Sequence, residues 1–391
     1  MKAIVNAKII MTNHVLEHKA LLFDDKIKDI VNIEKFNTSM ENNKYGELEI
    51  IDAKGNYLSP GFIDLHIHGS GGKDTMDGSI ESLKIISSII AKNGVTGFLP
   101  TTMTMDKEKI YKALESIRSG MKFEMEGAKI LGAHMEGPFI NQIYKGAQKE
   151  DYIIEPDYEF IKPYEDVIKI ITLAPEKDTN FNFIRTVKKN TDIVLSIGHS
   201  NATYEEAMSS IENGISHATH LFNAMSPLNH RKPGIVGAAF KSHISCELIA
   251  DKIHVHPGVF QILIDIKGSN KIILITDSMR AGCMKDGVSE LGGQKVIVKN
   301  NSARLEDGTL AGSILTLNRA VKNIVENTNL KIYEAVSLVS LNAAKEINLD
   351  SRKGSIERGK DADLVIFDED FCVKRTIVEG KNVFADNNIG R

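Results

Sequence analysis

The sequence predicts an α/β fold, namely a (β/α)8 TIM barrel with a small β-sandwich domain that both chain ends build together. Eight short apolar runs alternate with helical stretches through the middle of the chain, a pattern typical of a parallel sheet covered by helices. Short β-like runs occupy the two ends. The 391 residues are enough for a large barrel and a minor domain.

The two terminal segments, residues 1–57 and 346–391, are predicted to form the β-sandwich. Neither segment is large enough to be stable alone, because three or four short strands bury little apolar surface. The predicted strands are 3–10, 20–23, 26–31 and 48–51 near the start, and 363–367, 373–378 and 382–384 near the end.

Residues 58–345 are predicted to form the barrel. Several runs are apolar on both faces, as expected of strands that lie between helices and a packed barrel interior. The runs are 61–68, 95–102, 128–136, 168–176, 193–199, 218–223, 245–254 and 271–277. Apolar residues at helical spacing mark the segments 80–93, 107–121, 182–190, 204–213 and 257–267.

Composition and charge narrow the class of function. A net charge of −4, from 48 basic and 52 acidic residues, argues against a nucleic-acid-binding surface as the main function. No stretch approaches the roughly 20 apolar residues of a membrane span. The three cysteines have neither metal-binding nor disulfide spacing. We therefore expect a cytoplasmic protein that binds neither nucleic acid nor a membrane.

Polar residues stand at the end of every predicted barrel strand. Because active sites of such barrels lie at the carboxyl ends of the strands, we expect these side chains to meet at one rim. Histidines and carboxylates together indicate a site for a divalent metal. The residues are His66 and His68, Thr101 and Thr102, Glu136, Glu176, His199, His220 and Asn223, His254, and Asp277.

His66 and His68 close the first run. Residues two apart in a strand point to the same face, so both imidazoles project from one side, as a metal site requires. An isolated pair of this kind is more often two polar residues at a strand end. The histidines and carboxylates of the later runs favour the metal site.

Glu136, His199 and His220 have the composition of a hydrolytic metal site, in which three protein ligands leave a fourth position for water. A bound divalent ion lowers the pKa of that water toward about 7. From the residues alone, Glu136 could instead cap the next helix, and His199 could be a loop histidine. His217 competes with His220, and strand alternation favours His220.

Asp277, Arg231 and His254 are candidates for the remaining chemistry. A carboxylate at the last barrel strand can take a proton from water and return it to a leaving amine, although Asp277 could also be a metal ligand or a helix cap. The guanidinium of Arg231 suits a phosphate or carboxylate, unless it is an exposed loop residue. His254 could hydrogen-bond a substrate hydroxyl or a developing oxyanion.

Residues 60–68 and 359–365 resemble the two ends of the metal-dependent amidohydrolase superfamily. Further segments resemble, in order, the N-acetylglucosamine-6-phosphate deacetylase family within it: 134–139, 198–202, 220–225, 249–254, 276–277 and 307–313. The resemblance implies a barrel with a small β-sandwich. It also implies hydrolysis of N-acetyl-D-glucosamine 6-phosphate to D-glucosamine 6-phosphate and acetate.

The resemblance assigns metal-binding roles. Glu136, His199 and His220 match the principal ligands. His66 and His68 match the ligands of a second ion, with Glu136 as the bridge. One or two divalent ions per subunit are implied, with zinc preferred to iron or manganese.

The resemblance also assigns roles toward the substrate. Asp277 matches the general base and acid, and Arg231 matches an arginine that grips the phosphate from the neighbouring subunit of a homodimer. Two positions depart from the family pattern: Gln148 stands where a histidine is frequent, and Lys252 where a glycine is usual. The implied substrate-binding residues are Asn223, Ala224, His254, Gln148, Ala147 and Leu310.

Two other functions are weighed against this one. One is another amidohydrolase, acting on a cyclic amide, a purine or a different N-acetyl sugar phosphate. Many enzymes for cyclic amides or purines bridge two metals with a carboxylated lysine, a role that Glu136 fills here, and a neutral ring leaves Arg231 without a purpose. A non-catalytic scaffold of the same fold predicts the loss of ligands or of the base. The chain keeps all of them, in Glu136, His199, His220 and Asp277.

Overall fold

A parallel barrel occupies the middle of the chain. The computed structural model describes residues 1–42 and 45–386, and neighbouring barrel strands pair in parallel around the sheet. This confirms the predicted fold class. The barrel strands are Phe62–Ile67, Val95–Thr102, the split strand Lys129–Ile130 and Ala133–Glu136, Ile168–Leu173, Val194–Ile197, His217–Ala218, Ser245–Leu248 and Ile272–Leu274.

Hydrogen bonds between the end of the first strand and the residues that follow the last strand close the barrel. The backbone N–H of Asp277 donates to His66 O at 2.8 Å, and that of His68 donates to Ser278 O at 2.9 Å. An isolated parallel bridge joins Ile67 and Ser278. Closure therefore brings His66, His68 and Asp277 together at one rim.

Helices cover the barrel because each presents an apolar face to it. In Lys107–Lys122 the buried residues recur three or four positions apart, at Ile110, Ala113, Leu114 and Ile117. The α-helices are Ile33–Glu41, Ile80–Ala91, Lys107–Lys122, Tyr158–Ile161, Asn182–Asn190, Tyr204–Asn213, Gly234–Lys241, Phe260–Lys267, Leu317–Asn327, Ile332–Ser337 and Leu341–Glu346. Short 3-10 helices include Gln142–Tyr144, Pro175–Lys177 and Pro257–Val259.

The barrel strands are buried on both faces. Every residue of Phe62–Ile67 and Val95–Thr102 is buried, since side chains point alternately to the interior and to the helices. The fully buried rings of Phe62, Phe98 and Phe139 belong to this core. A core packed this closely holds the residues that end its strands in fixed positions.

The chain ends form two sheets with a shared apolar core that includes Ile4, Phe23, Leu58 and Leu364. The four-stranded sheet contains Lys2–Val5, Lys19–Phe23, Ile27–Asn32 and Glu49–Asp52. The six-stranded sheet contains Lys8–Ile10, Val15–Leu16, Tyr57–Pro60, Leu364–Phe367, Val373–Val378 and Lys381–Ala385. It joins the two ends of the chain, because Tyr57–Pro60 pairs with strands from both.

The structure differs locally from the sequence prediction, and three of the differences are instructive. The predicted strand 3–10 is two strands, because Asn6 has a φ of 55° and turns the chain between them. Ile33–Glu41 is a helix where no element is predicted. A three-stranded sheet of Gly287–Leu291, Gln294–Lys299 and Ser302–Arg304 follows the last barrel strand.

Residues 43, 44 and 387–391 lie outside the described part of the chain. All of them belong to the two segments predicted to form the β-sandwich. No helix within residues 1–42 and 45–386 combines the length and the apolar character that crossing a bilayer requires.

Candidate active site

Glu136, His199 and His220 meet at the carboxyl end of the barrel. The Nε2 atoms of His199 and His220 each lie 3.1 Å from Glu136 Oε1, and 3.2 Å from each other. All three side chains are buried. Two imidazole nitrogens and a carboxylate oxygen that converge in this way suit a divalent ion.

In each histidine that could bind metal, Nδ1 already makes a hydrogen bond within the protein. Each Nδ1–H donates to an oxygen: His66 to Glu247 Oε2 (3.0 Å), His68 to Thr101 O (3.2 Å), His199 to Tyr144 O (2.8 Å) and His220 to Asn223 O (3.2 Å). Backbone carbonyls only accept, so the neutral rings carry their proton on Nδ1 and offer the Nε2 lone pair. Metal-binding histidines are held in this way.

His66 and His68 approach Glu136 from another side. His66 Nε2 lies 3.3 Å from Glu136 Oε1, and His68 Nε2 lies 3.4 Å from Glu136 Oε2. Asp277 Oδ1 lies 3.5 Å from His66 Nε2 and 3.3 Å from His68 Nε2. His66 Nε2 is buried with no hydrogen-bond partner among the described residues, and a metal ion would satisfy it. The donor set therefore fits a second ion bridged by Glu136.

Buried charges of opposite sign shift the pKa values of these groups. Burial opposes charge on all of them. The nearby carboxylates nevertheless raise the pKa of His68 to about 9 and that of His66 well above its ordinary value. The imidazoles lower the pKa of Glu136 and of Asp277 despite burial. The carboxylates thus attract positive charge to the rim, and a divalent cation can supply it in place of the imidazole protons.

The backbone is strained where these side chains enter the site. The φ angles of His199, His220 and Asp277 are 48°, 28° and 48°, a region that costs a non-glycine residue roughly 1–3 kcal/mol. Gly137 follows Glu136 with a φ of 74°, and a Cβ there would lie 2.1 Å from Thr104 Oγ1. Only glycine fits at that position, so the turn after Glu136 depends on it.

A cavity of about 680 Å³ opens above the rim. The predicted substrate-binding residues that line it are Asn223, Ala224, His254, Gln148, Ala147 and Leu310. Nδ1 of His254 is bonded to Asp251 Oδ2 at 2.6 Å, which leaves Nε2 for a ligand. Lys145 and Arg304 also line the cavity. Sequence reasoning missed these two cationic side chains because Lys145 lies in a loop and Arg304 ends a strand outside the barrel, and only the fold brings them to the cavity.

Gln148 is held against the candidate metal centre. Its Nε2 donates to Glu136 Oε2 at 2.8 Å, and its Oε1 accepts from the N–H of Thr104 at 2.7 Å. The amide therefore orients the Glu136 carboxylate as well as lining the cavity.

Arg231 and Glu176 lie outside the cavity of their own chain. Arg231 is exposed, and its Nη1 contacts His230 Nε2 at 2.8 Å. Glu176, a carboxylate expected at the rim, belongs to none of the candidate metal groups among the described residues and does not line the cavity. Its carboxylate accepts from Asn141 Nδ2 at 2.8 Å and from Ser200 Oγ at 2.6 Å, so it links two loops instead.

Glu247, His217 and Glu346 form a buried cluster that sequence reasoning missed. His217 Nε2 lies 3.3 Å from Glu247 Oε1, and His217 Nδ1 lies 3.1 Å from Glu346 Oε1. His217 is therefore paired with carboxylates beneath the rim and is not a ligand of the candidate centre. A signal was present in the sequence, since Glu247 lies inside the predicted run 245–254 and a glutamate is costly to bury without a partner.

Comparisons with known proteins agree with this geometry. Residues 57–383 match the amidohydrolase family. The chain is 45% identical over 335 residues to a Bacillus subtilis (strain 168) protein named N-acetylglucosamine-6-phosphate deacetylase, and the match covers 84% of each. It is 34% identical over 330 residues to an Escherichia coli O157:H7 protein named N-acetylgalactosamine-6-phosphate deacetylase, covering 83% of this chain and 87% of that protein.

The fold comparison extends over nearly the full chain. A crystal structure of N-acetylglucosamine-6-phosphate deacetylase from Pasteurella multocida superposes with a TM-score of 0.91 at 36% identity, covering 98% of this chain and 100% of the other. The rim residues form groups that can hold a metal ion, as the amidohydrolase resemblance implies. The chain belongs to the amidohydrolase family.

Proposed function

We propose that this protein hydrolyses the acetamide of N-acetyl-D-glucosamine 6-phosphate, releasing D-glucosamine 6-phosphate and acetate in amino-sugar metabolism. The observation that carries the proposal is the convergence of His199 Nε2 and His220 Nε2 on Glu136 Oε1 at the floor of the cavity. The names of the similar proteins support the choice of substrate.

Glu136, His199 and His220 would hold one divalent ion, and His66 and His68 a second one shared through Glu136. Zinc suits this set of nitrogen and carboxylate ligands best, and iron or manganese would also be accepted. When bound, the ion polarises the acetamide carbonyl and makes water a nucleophile at neutral pH.

Asp277 would move the proton in both halves of the reaction. Its Oδ1 lies at the rim beside the imidazoles of His66 and His68, and its lowered pKa keeps the carboxylate ionised at neutral pH. An ionised carboxylate can accept a proton from the attacking water and then donate it to the leaving amine. The same residue therefore serves as base and as acid.

The cavity walls would bind the sugar phosphate. His254, with Nδ1 held by Asp251, offers Nε2 to a hydroxyl or to the developing oxyanion. Asn223 and Ala224 would meet the phosphate, while Gln148, Ala147 and Leu310 line the wall. An anionic substrate also agrees with the two cations at the wall, Lys145 and Arg304.

We further propose a homodimer in which Arg231 reaches the cavity of the neighbouring subunit. Arg231 is exposed and lies away from its own cavity, so a role in phosphate binding requires a second chain. The free cysteines Cys246, Cys283 and Cys372 support a reducing compartment, and we propose a cytoplasmic location.

A second candidate substrate is N-acetylgalactosamine 6-phosphate. Gln148, at the cavity wall, replaces a histidine that is frequent in the resembling family, and one similar protein carries the corresponding name. The two sugars differ in the orientation of one hydroxyl, which a changed polar side chain can distinguish.

Acetate release measured with each sugar phosphate decides between these functions. The assay uses protein reconstituted with zinc, manganese or iron and includes unphosphorylated N-acetylglucosamine. Hydrolysis of a cyclic amide, which releases no acetate, is followed separately by the opening of its ring. We expect the highest kcat/KM for N-acetylglucosamine 6-phosphate. Turnover of the cyclic amide alone, with every metal, would disprove the proposal.

A further inference from the structure

A chain of buried charged side chains extends from the candidate metal centre into the barrel interior. It runs from His66 through Glu247 and His217 to Glu346. The first three side chains are 0% exposed, and that of Glu346 is 11% exposed. The proposed reaction uses neither Glu247 nor the groups beyond it.

One oxygen of Glu247 contacts a candidate ligand from each half of the centre. Glu247 Oε2 accepts from Nδ1–H of His66 at 3.0 Å and from the backbone N–H of His220 at 3.0 Å. The backbone O of Glu247 accepts from the N–H of Leu221, also at 3.0 Å. His220 belongs to the first half-site, formed by Glu136, His199 and His220, and His66 belongs to the second, formed by His66, His68 and Glu136. A single carboxylate therefore contacts a candidate ligand of each half-site.

Glu247 contacts the side chain of His66 but the backbone of His220, and each contact fixes the direction in which the imidazole points. The bond from Nδ1 of His66 fixes the ring and its tautomer, which leaves the unpartnered Nε2 aimed at Glu136. The bond from His220 N–H anchors a backbone held at a φ of 28°. Such a conformation persists only where its surroundings enforce it.

The opposite oxygen of Glu247 is held by charge. Glu247 Oε1 lies 3.3 Å from His217 Nε2, and His217 Nδ1 lies 3.1 Å from Glu346 Oε1. These contacts lack hydrogen-bond geometry, so they act as ion pairs. They accommodate the negative charge of Glu247 in the barrel interior, whereas the hydrogen bonds from His66 and His220 set the direction of the carboxylate.

We propose that Glu247 is a positioning residue that aligns His66 and His220, so that the two half-sites bind metal as one centre. This inference rests on the proposed metal centre. Residues that orient metal ligands typically change metal affinity by 10–100-fold when they are altered. We expect an effect of that size, mostly at the half-site of His66 and His68.

Two conservative substitutions separate the effect of the length of the Glu247 side chain, which we call its reach, from the effect of its charge. Glu247→Asp keeps the charge but is one methylene shorter, so it cannot hold both His66 and His220. Glu247→Gln keeps the reach, accepts both hydrogen bonds through its carbonyl, and loses the charge. Glu346→Gln is the matched control, because Glu346 lies in the same cluster but contacts His217 and no candidate ligand.

Metal binding is measured for the full-length protein by zinc titration against a competing chelator, with bound zinc counted by elemental analysis. Cobalt substitution reports the ligand geometry through its visible absorption. We expect Glu247→Asp to bind zinc 10–100-fold more weakly with an altered cobalt spectrum. The zinc affinities of Glu247→Gln and Glu346→Gln should stay within about threefold of the wild-type value, whereas the loss of a positioning residue typically costs 10–100-fold.

The outcomes are distinct. Wild-type zinc affinity in Glu247→Asp would overturn the inference and leave the proposed function intact. A tenfold loss of zinc affinity in Glu247→Gln would also overturn the inference, because the charge of Glu247 and not its reach would then matter. This test holds even if Glu247→Asp fails to fold. If the wild-type protein binds no divalent metal, the proposed function itself fails.

Discussion

The Nε2 atoms of His199 and His220 lie 3.2 Å apart, and both are 3.1 Å from the same oxygen of Glu136. Three unprotonated ligand atoms this close repel one another unless a cation or a proton lies between them. The pair therefore provides the most direct test of the proposed metal centre.

Replacing His220 with glutamine should remove the metal of the first half-site. We expect bound zinc to fall by at least one ion per subunit. The rate of deacetylation should fall by more than about 100-fold, because a bound ion would both activate the water and polarise the substrate carbonyl. Elemental analysis and acetate release measure the two effects. His243→Gln, at an exposed histidine, is the control and should change neither.

Asp277→Asn should keep the metal and lose the chemistry. An amide cannot accept the proton of water, so kcat should fall by about 10²–10⁴, the usual contribution of a general acid–base group. Zinc content should remain that of the wild type. A wild-type rate in this variant would rule out the proposed role of Asp277.

Arg231→Ala should weaken substrate binding with little change in kcat. Losing a charge-assisted contact to phosphate corresponds to about 1.5–3 kcal/mol, or a rise in KM of roughly 10–100-fold. The adjacent exposed Lys232→Ala is the matched control. An unchanged KM in Arg231→Ala would remove this arginine from the phosphate site.

Mixed dimers test whether Arg231 acts across the subunit interface. In a dimer of one Arg231→Ala chain and one Asp277→Asn chain, a contribution in trans restores one complete active site, with Asp277 from the first chain and Arg231 from the second. A contribution in cis leaves both sites defective. Activity of the mixture above that of either variant alone therefore supports the proposed dimer.

His217 should make stability depend on pH. Burial opposes its charge, but Glu346 and Glu247 raise its pKa to about 10, against an ordinary value of 6.5. The protonated ring thus stabilises the fold fully below about pH 6.5, and this contribution is lost as the pH rises through about 10. His217→Gln should lower the free energy of unfolding by roughly 3–5 kcal/mol at pH 6, and by clearly less at pH 10. Urea unfolding with excess chelator measures the difference, and an equal loss at both pH values would contradict it.

The fold and the centre of the site were predictable from the sequence because strand periodicity and strand ends are local patterns. Glu136, His199 and His220 each follow an apolar run, so their meeting required only that the runs form a barrel. The partner of His66 was not predictable in this way. Glu247 lies within a strand, 181 positions from His66, and only the barrel register brings the two together. The turn at Asn6 also escaped prediction, since a left-handed residue in an apolar run leaves no periodic trace.

The closure of the barrel has a consequence for biosynthesis. His66 and His68 emerge early from the ribosome, whereas Asp277 and Ser278, which bond to them, emerge about 210 residues later, and contacts so distant in sequence form late in folding. A nascent chain that ends before this strand has an open edge and an incomplete rim. Truncated products of this gene should therefore be inactive and prone to aggregation through that edge, and catalytic competence arises only once the final strand has docked.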